Sequence, residues 1–96
     1  MPNLGNIQRA VRRIAAEHGL DKVTLFGSYA RGKAREGSDV DLVVEASRPL
    51  GFARGAIYRE LEEALGCPVD VIFGERSLYP FVRPAVASEG VVLYEA

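Results

Sequence analysis

An apolar run ends in Gly27-Ser28, and ten residues later Asp39-Val40-Asp41 opens a second apolar run. No other feature constrains the chain as much. Val23, Thr24, Leu25 and Phe26 read as a strand, and Gly-Ser directly after them predicts a tight turn that opens a short helix over residues 28–32. Free backbone N–H groups and the positive end of the helix dipole favour an anion such as a phosphate there. The Ser28 hydroxyl can cap that helix or donate to a phosphate oxygen, and Gly27 lets the backbone come close.

The second run, residues 39–45, reads as the next strand. Alternation places Asp39 and Asp41 on one face and Val40, Leu42 and Val44 on the other. The aliphatic face suits a core. Two carboxylates sharing the opposite face repel each other unless positive charge lies between them. Hard divalent cations take oxygen ligands, and magnesium commonly uses one or two carboxylates plus substrate phosphates. Asp70 interrupts a third strand-like run at residues 69–73. If that strand lies beside the second, three carboxylates converge next to a phosphate-binding turn. Taken singly, the acids also fit a solvated strand edge and Gly27-Ser28 an ordinary helix cap; the set at this spacing points to metal-bound nucleotide.

Elsewhere helical and strand patterns alternate. Leu4, Ile7, Val11, Ile14 and Ala15 recur at helical spacing ahead of Gly19, a C-cap signal. A further helix over residues 52–65 should bury Ala53, Ile57, Leu61, Ala64 and Leu65, with Gly66 and Pro68 ending it. Pro80 and Pro84 interrupt residues 77–89, where a short helix reaching Val86 is expected, followed by a strand over 91–94. The pattern predicts an α/β (α+β) fold, a small sheet with helices packed on one face.

The 96 residues suit one domain spanning 1–96. Twelve basic against 13 acidic residues leave a net charge of −1, so stable nucleic-acid binding is not expected. Arg31, Lys33 and Arg35 nevertheless place a basic loop close to the turn. Cys67 is the one cysteine, which excludes an internal disulfide. No membrane span or signal peptide is recognisable, and a cytoplasmic location is expected. The single histidine, His18, stands where a cation meets a helix dipole and suits that role better than catalysis.

Gly27, Ser28, Asp39, Asp41 and Asp70, in this order and spacing, resemble the DNA polymerase β-like nucleotidyltransferase superfamily, and within it the minimal nucleotidyltransferases. The resemblance covers nearly the whole chain and implies a mixed sheet. It also implies transfer of AMP from ATP to a hydroxyl. Asp39, Asp41 and Asp70 would be the catalytic, metal-ligating residues for two Mg2+ ions. Gly27 and Ser28 would hold the outer phosphates, with Arg31 and Ser38 as further nucleotide-binding candidates. The resemblance implies a helical HEPN-type toxin as partner, silenced by AMP on a tyrosine, which makes this chain an antitoxin. The competing readings are an antitoxin that masks its partner without catalysis, and a small-molecule nucleotidyltransferase of the aminoglycoside type. The lack of an acceptor-binding domain weighs against the latter.

Overall fold

The computed structural model describes residues 2–74 and 90–96. Helix α1, Leu4–His18, starts where the Asn3 side chain accepts a hydrogen bond from the Asn6 N–H at 2.8 Å, and it stops at Gly19 in the left-handed region. Ile7, Val11, Ile14 and Ala15 form its buried stripe. Leu4, expected to open that stripe, is half exposed. Strand β1, Lys22–Phe26, runs into the four-residue helix α2, Gly27–Ala30, which begins one residue earlier than predicted.

Strand β2 is Val40–Glu45. Its first residue donates a backbone hydrogen bond to the Pro68 carbonyl at 3.0 Å, so Asp39 lies just ahead of the strand rather than in it. Helix α3, Ala53–Leu65, presses Ile57, Leu61 and Leu65 onto the sheet. That i, i+4, i+8 seam takes the contact, which leaves Ala53 half-buried and Ala64 exposed, against expectation. Strand β3, Val69–Phe73, returns parallel to β2, and β4, Val91–Glu95, closes the described chain. The predicted short helix within 77–89, together with Tyr79, lies outside the described residues.

The four strands lie in the order β3-β2-β1-β4. The β1 strand is antiparallel to both β2 and β4, while β2 and β3 are parallel, as a crossover through α3 requires. The sheet is therefore mixed. Helices α1 and α3 cover one face, where Val23, Leu25, Val40, Leu42, Val44, Val69 and Leu93 join the helix stripes in one core. A register shift at Val23/Thr24 turns both Leu93 and Tyr94 of β4 toward that core. Cross-strand pairing also fixes the rows on the opposite face. Asp70, Asp41 and Phe26 stand abreast, and the next row is Ile72, Val43, Thr24 and Val92. This face is not simply a solvated one. Val43 is buried there with Phe26 and Ile72 packed against it, and Thr24 is also buried.

Candidate active site

Asp41 is the centre of the site, and each neighbouring strand contributes to it from one side. On the β1 side its register partner is Phe26, the last residue before the Gly27-Ser28 turn. On the β3 side its register partner is Asp70. Asp39 precedes Asp41 by two residues at the mouth of β2 and is exposed, as is Asp70. The folded chain thus brings together three acids that lie up to 31 residues apart in sequence.

The turn meets the acids in the closest way possible. Gly27 has φ +77, a conformation that residues with a Cβ rarely adopt. A Cβ built there would overlap Oδ2 of Asp41, with the carboxyl carbon at 3.1 Å. Glycine is therefore required twice at this position, for the backbone angle and for the space that the Asp41 carboxylate fills. Sequence reasoning assigned Gly27 to close phosphate approach alone. The contact with Asp41 depends on strand pairing, which no local pattern announces.

The electrostatics follow from that crowding. Burial first, and then the charges of Asp70 and Asp39, raise Asp41 from the ordinary 3.8 to about 6, against a smaller lowering by Arg31. Arg31, in the turn after α2, therefore acts on the acids from the side of the phosphate-binding turn. Among the described residues no three His, Cys, Asp or Glu side chains close into a ready cation cage. The donor set still suits a hard divalent cation. It is all oxygen, carries excess negative charge and offers residues on two paired strands.

Ser28 sits inside the first turn of α2 rather than at its cap. The capping position falls to Phe26, whose side chain makes no capping hydrogen bond. The cap role predicted for Ser28 is thereby corrected: α2 starts at Gly27, one residue too early for it. Its carbonyl accepts the Lys33 N–H at 2.8 Å, which folds the basic loop back onto α2. Ser38 has a local partner: its hydroxyl accepts the Arg35 N–H at 2.8 Å, while its own N–H donates to the Arg35 carbonyl at 2.9 Å. These bonds set the approach of the loop to Asp39. A hollow of about 260 Å³ lies beside it, lined by residues that include Tyr29, Ser38 and Cys67.

His18 lies away from the site. Its Nε2 is 2.9 Å from a Glu60 carboxylate oxygen, and its carbonyl accepts Arg48 Nη2 at 2.7 Å, tying the end of α1 to α3 and to the β2–α3 connection. A structural role, as read from the sequence, accounts for it. The Tyr58 phenol on α3 is pushed above its ordinary value, chiefly by the charge of Glu62, with Asp70 and Asp39 contributing least.

The pattern of a family model for the nucleotidyltransferase domain matches residues 7–93. The chain belongs to the nucleotidyltransferase domain family. The match spans every element that builds the site. A Methanocaldococcus jannaschii protein, provisionally named a protein adenylyltransferase, is 36% identical over 92 residues, which cover 93% of this chain and 96% of the relative. A chain of a toxin–antitoxin crystal structure with AMP-PNP superposes with a TM-score of 0.79 at 27% identity, covering 93% of this nucleotidyltransferase and 73% of its counterpart. A chain from the complex of a tri-AMPylated Shewanella oneidensis HEPN toxin with its MNT antitoxin superposes with a TM-score of 0.69 at 26% identity, covering 95% and 71% respectively. No helix among the described residues is long and apolar enough to cross a membrane.

Proposed function

We propose that this chain is an adenylyltransferase antitoxin that moves AMP from ATP to a tyrosine hydroxyl of a helical HEPN-type toxin. The observation that carries the reading is the row Asp70–Asp41–Phe26, with Gly27 pressed against the Asp41 carboxylate. The similarity to a complex whose toxin is tri-AMPylated, and to one holding AMP-PNP, supports this choice of donor and acceptor.

Asp39, Asp41 and Asp70 are the residues that would hold magnesium. When bound, two such ions neutralise the triphosphate and make an acceptor hydroxyl easier to ionise. The chain's own groups do the rest. Gly27 leaves the space that the Asp41 carboxylate fills, and the Gly27-Ser28 turn would hold the outer phosphates. Arg31 adds positive charge where pyrophosphate collects its negative charge. Asp70, exposed on β3, would take the proton of the acceptor hydroxyl. The acceptor oxygen bonds to the α-phosphorus, the bond to the β-phosphate breaks, and pyrophosphate leaves with the electron pair.

The test is incubation with ATP labelled at the α-phosphate, magnesium and a HEPN-type toxin from the same genome. Label on that protein, lost with Asp41→Asn, is the expected result. Neutralisation that persists without any transfer of label would instead establish masking by contact.

A further inference from the structure

We propose that the outer face of α3 is a contact between two copies of this chain, with Phe52 of each copy seated in a hollow of the other. Phe52, at the head of α3, is wholly exposed, more so than any other large apolar side chain among the described residues. It is also held in place. The Ala53 N–H donates to the Leu50 carbonyl at 2.9 Å, the Arg54 N–H donates to the Gly51 carbonyl at 3.3 Å, and Leu50 packs against the core. A fixed aromatic ring in water is the kind of group that anchors a protein contact. Helical spacing puts Phe52, Gly55, Arg59 and Glu63 on the side turned away from Ile57, Leu61 and Leu65, and all four are exposed, as is Gly66. Gly66 lines the hollow of about 260 Å³ whose walls also include Tyr29, Glu36, Ser38 and Cys67, with room for a phenyl ring. Phe52 and Gly66 stand seven residues to either side of Arg59, about 10 Å along the helix axis each way. Two antiparallel α3 helices related by a two-fold axis at Arg59 therefore set each Phe52 against the hollow of the other copy. Ring and hollow are symmetric about one point, as a contact between identical copies requires.

Charge selects a second copy as the occupant. Helix α3 has no acid in its first turn and no base in its last. Arg54 follows Phe52 and Arg48 precedes it, while Glu62 and Glu63 lie near the far end of the helix. Glu36 is the one charged residue among the described ones that line the hollow. This order opposes the helix dipole, which favours acids at the N-terminus and bases at the C-terminus. An antiparallel copy reverses the mismatch, bringing acids to each N-terminus and arginines to each C-terminus. At the axis, each Arg59 has Glu62 and Glu63 of both helices within about one turn. Because α3 covers the sheet face opposite the acids, both rows of carboxylates stay on the outside of the pair. The seated ring also backs Ser38, the residue before Asp39. The inference goes beyond the catalytic reading and does not depend on it.

The experiment combines sedimentation velocity on the full chain with photo-cross-linking from p-benzoylphenylalanine in place of Phe52, which keeps the aromatic anchor. The wild-type chain should dimerise reversibly. Phe52→Ala removes no packing from the single copy, so its far-UV spectrum should not change. Its dissociation constant should rise about 100-fold or more, because every dimer loses two anchors. The photo-adduct should run as a covalent dimer, with the cross-link mapped to residues 36–38 or 66–68 of the other copy. A chain that stays monomeric up to about 1 mM, a dimer indifferent to Phe52→Ala, or adducts confined to other segments would each overturn the proposal. A parallel irradiation includes an equal amount of the HEPN-type toxin. Adducts on the second copy support the proposal, and adducts on the toxin in their place assign the face to the toxin and overturn it.

Discussion

Gly27 and Asp41 form the tightest contact of the site, and each explains the other. An alanine at 27 would strain a left-handed backbone and displace the carboxylate that its methyl group overlaps. Gly27→Ala should lower kcat/KM for AMP transfer by about 100-fold or more, equivalent to the loss of about 3 kcal/mol of transition-state stabilisation. Steady-state kinetics measures the loss, and a near-native far-UV spectrum would show that it comes from the site rather than from unfolding.

Asp41 also sets a dependence on pH. Its folded pKa of about 6 lies above the ordinary 3.8, so the folded chain binds a proton more tightly than the unfolded one. The resulting stabilisation is complete below pH 3.8 and is lost as pH rises through about 6. For a half-buried carboxylate screened by solvent, it amounts to about 1 kcal/mol. Thermal unfolding of the metal-free protein should show this slope between pH 4 and 6, and Asp41→Asn should flatten it. Binding of Mg2+ must run the other way, because the cation needs the ionised acid. Calorimetry should find affinity rising about tenfold per pH unit below pH 6 and levelling above it. Affinity independent of pH across this range would remove Asp41 from the site.

At the scale of elements, β4 is held by more than its pairing with β1. Arg12 of α1 donates from Nε to the Leu93 carbonyl at 3.2 Å, and Leu93 itself is buried. This bond anchors the outer strand to the helix layer and occupies a carbonyl of the sheet edge. Arg12→Ala should cost about 1.5–3 kcal/mol in chemical denaturation, the range for a hydrogen bond involving a charged group. At the other end of α1, the Asn3 cap makes a similar prediction. Asn3→Ala should cost about 1 kcal/mol, with the loss reported by amide exchange in the first turn.

Elements were also what the sequence revealed best. The α1 stripe, the αL glycine that ends it and the aliphatic face of β2 follow local periods, which tertiary contacts did not need to override. The misses are positional. Ala64 sits at a plausible helical spacing, yet the seam chosen by Ile57, Leu61 and Leu65 leaves it outside. Val43 alternates with the core residues of β2 and still is buried, with Phe26 and Ile72 of the neighbouring strands packed against it.

For the molecule as a whole, a single mixed sheet carries the core on one side and the acids on the other. Leu25 and Leu42 form a cross-strand pair, both fully buried at the centre of the helix-facing side. Truncating either to Ala should cost about 2–5 kcal/mol in a denaturant titration, and the wide range reflects how far the surroundings can collapse. Because the pair lies one residue from the row of carboxylates, the same change should also lower activity in the protein that remains folded.

The sequence by itself determined the chemistry: a glycine–serine turn after one strand, two acids opening the next and a third acid on a later one, all readable from short-range spacing and alternation. Only the tertiary structure decided that these groups lie together. Placing Asp70 beside Asp41 requires β3 to pass over α3 and pair parallel with β2, and pressing Gly27 onto the Asp41 carboxylate requires the β1–β2 register. Such pairings are chosen by burial of the apolar face across the whole sheet, where a slip of one residue would turn the acids into the core.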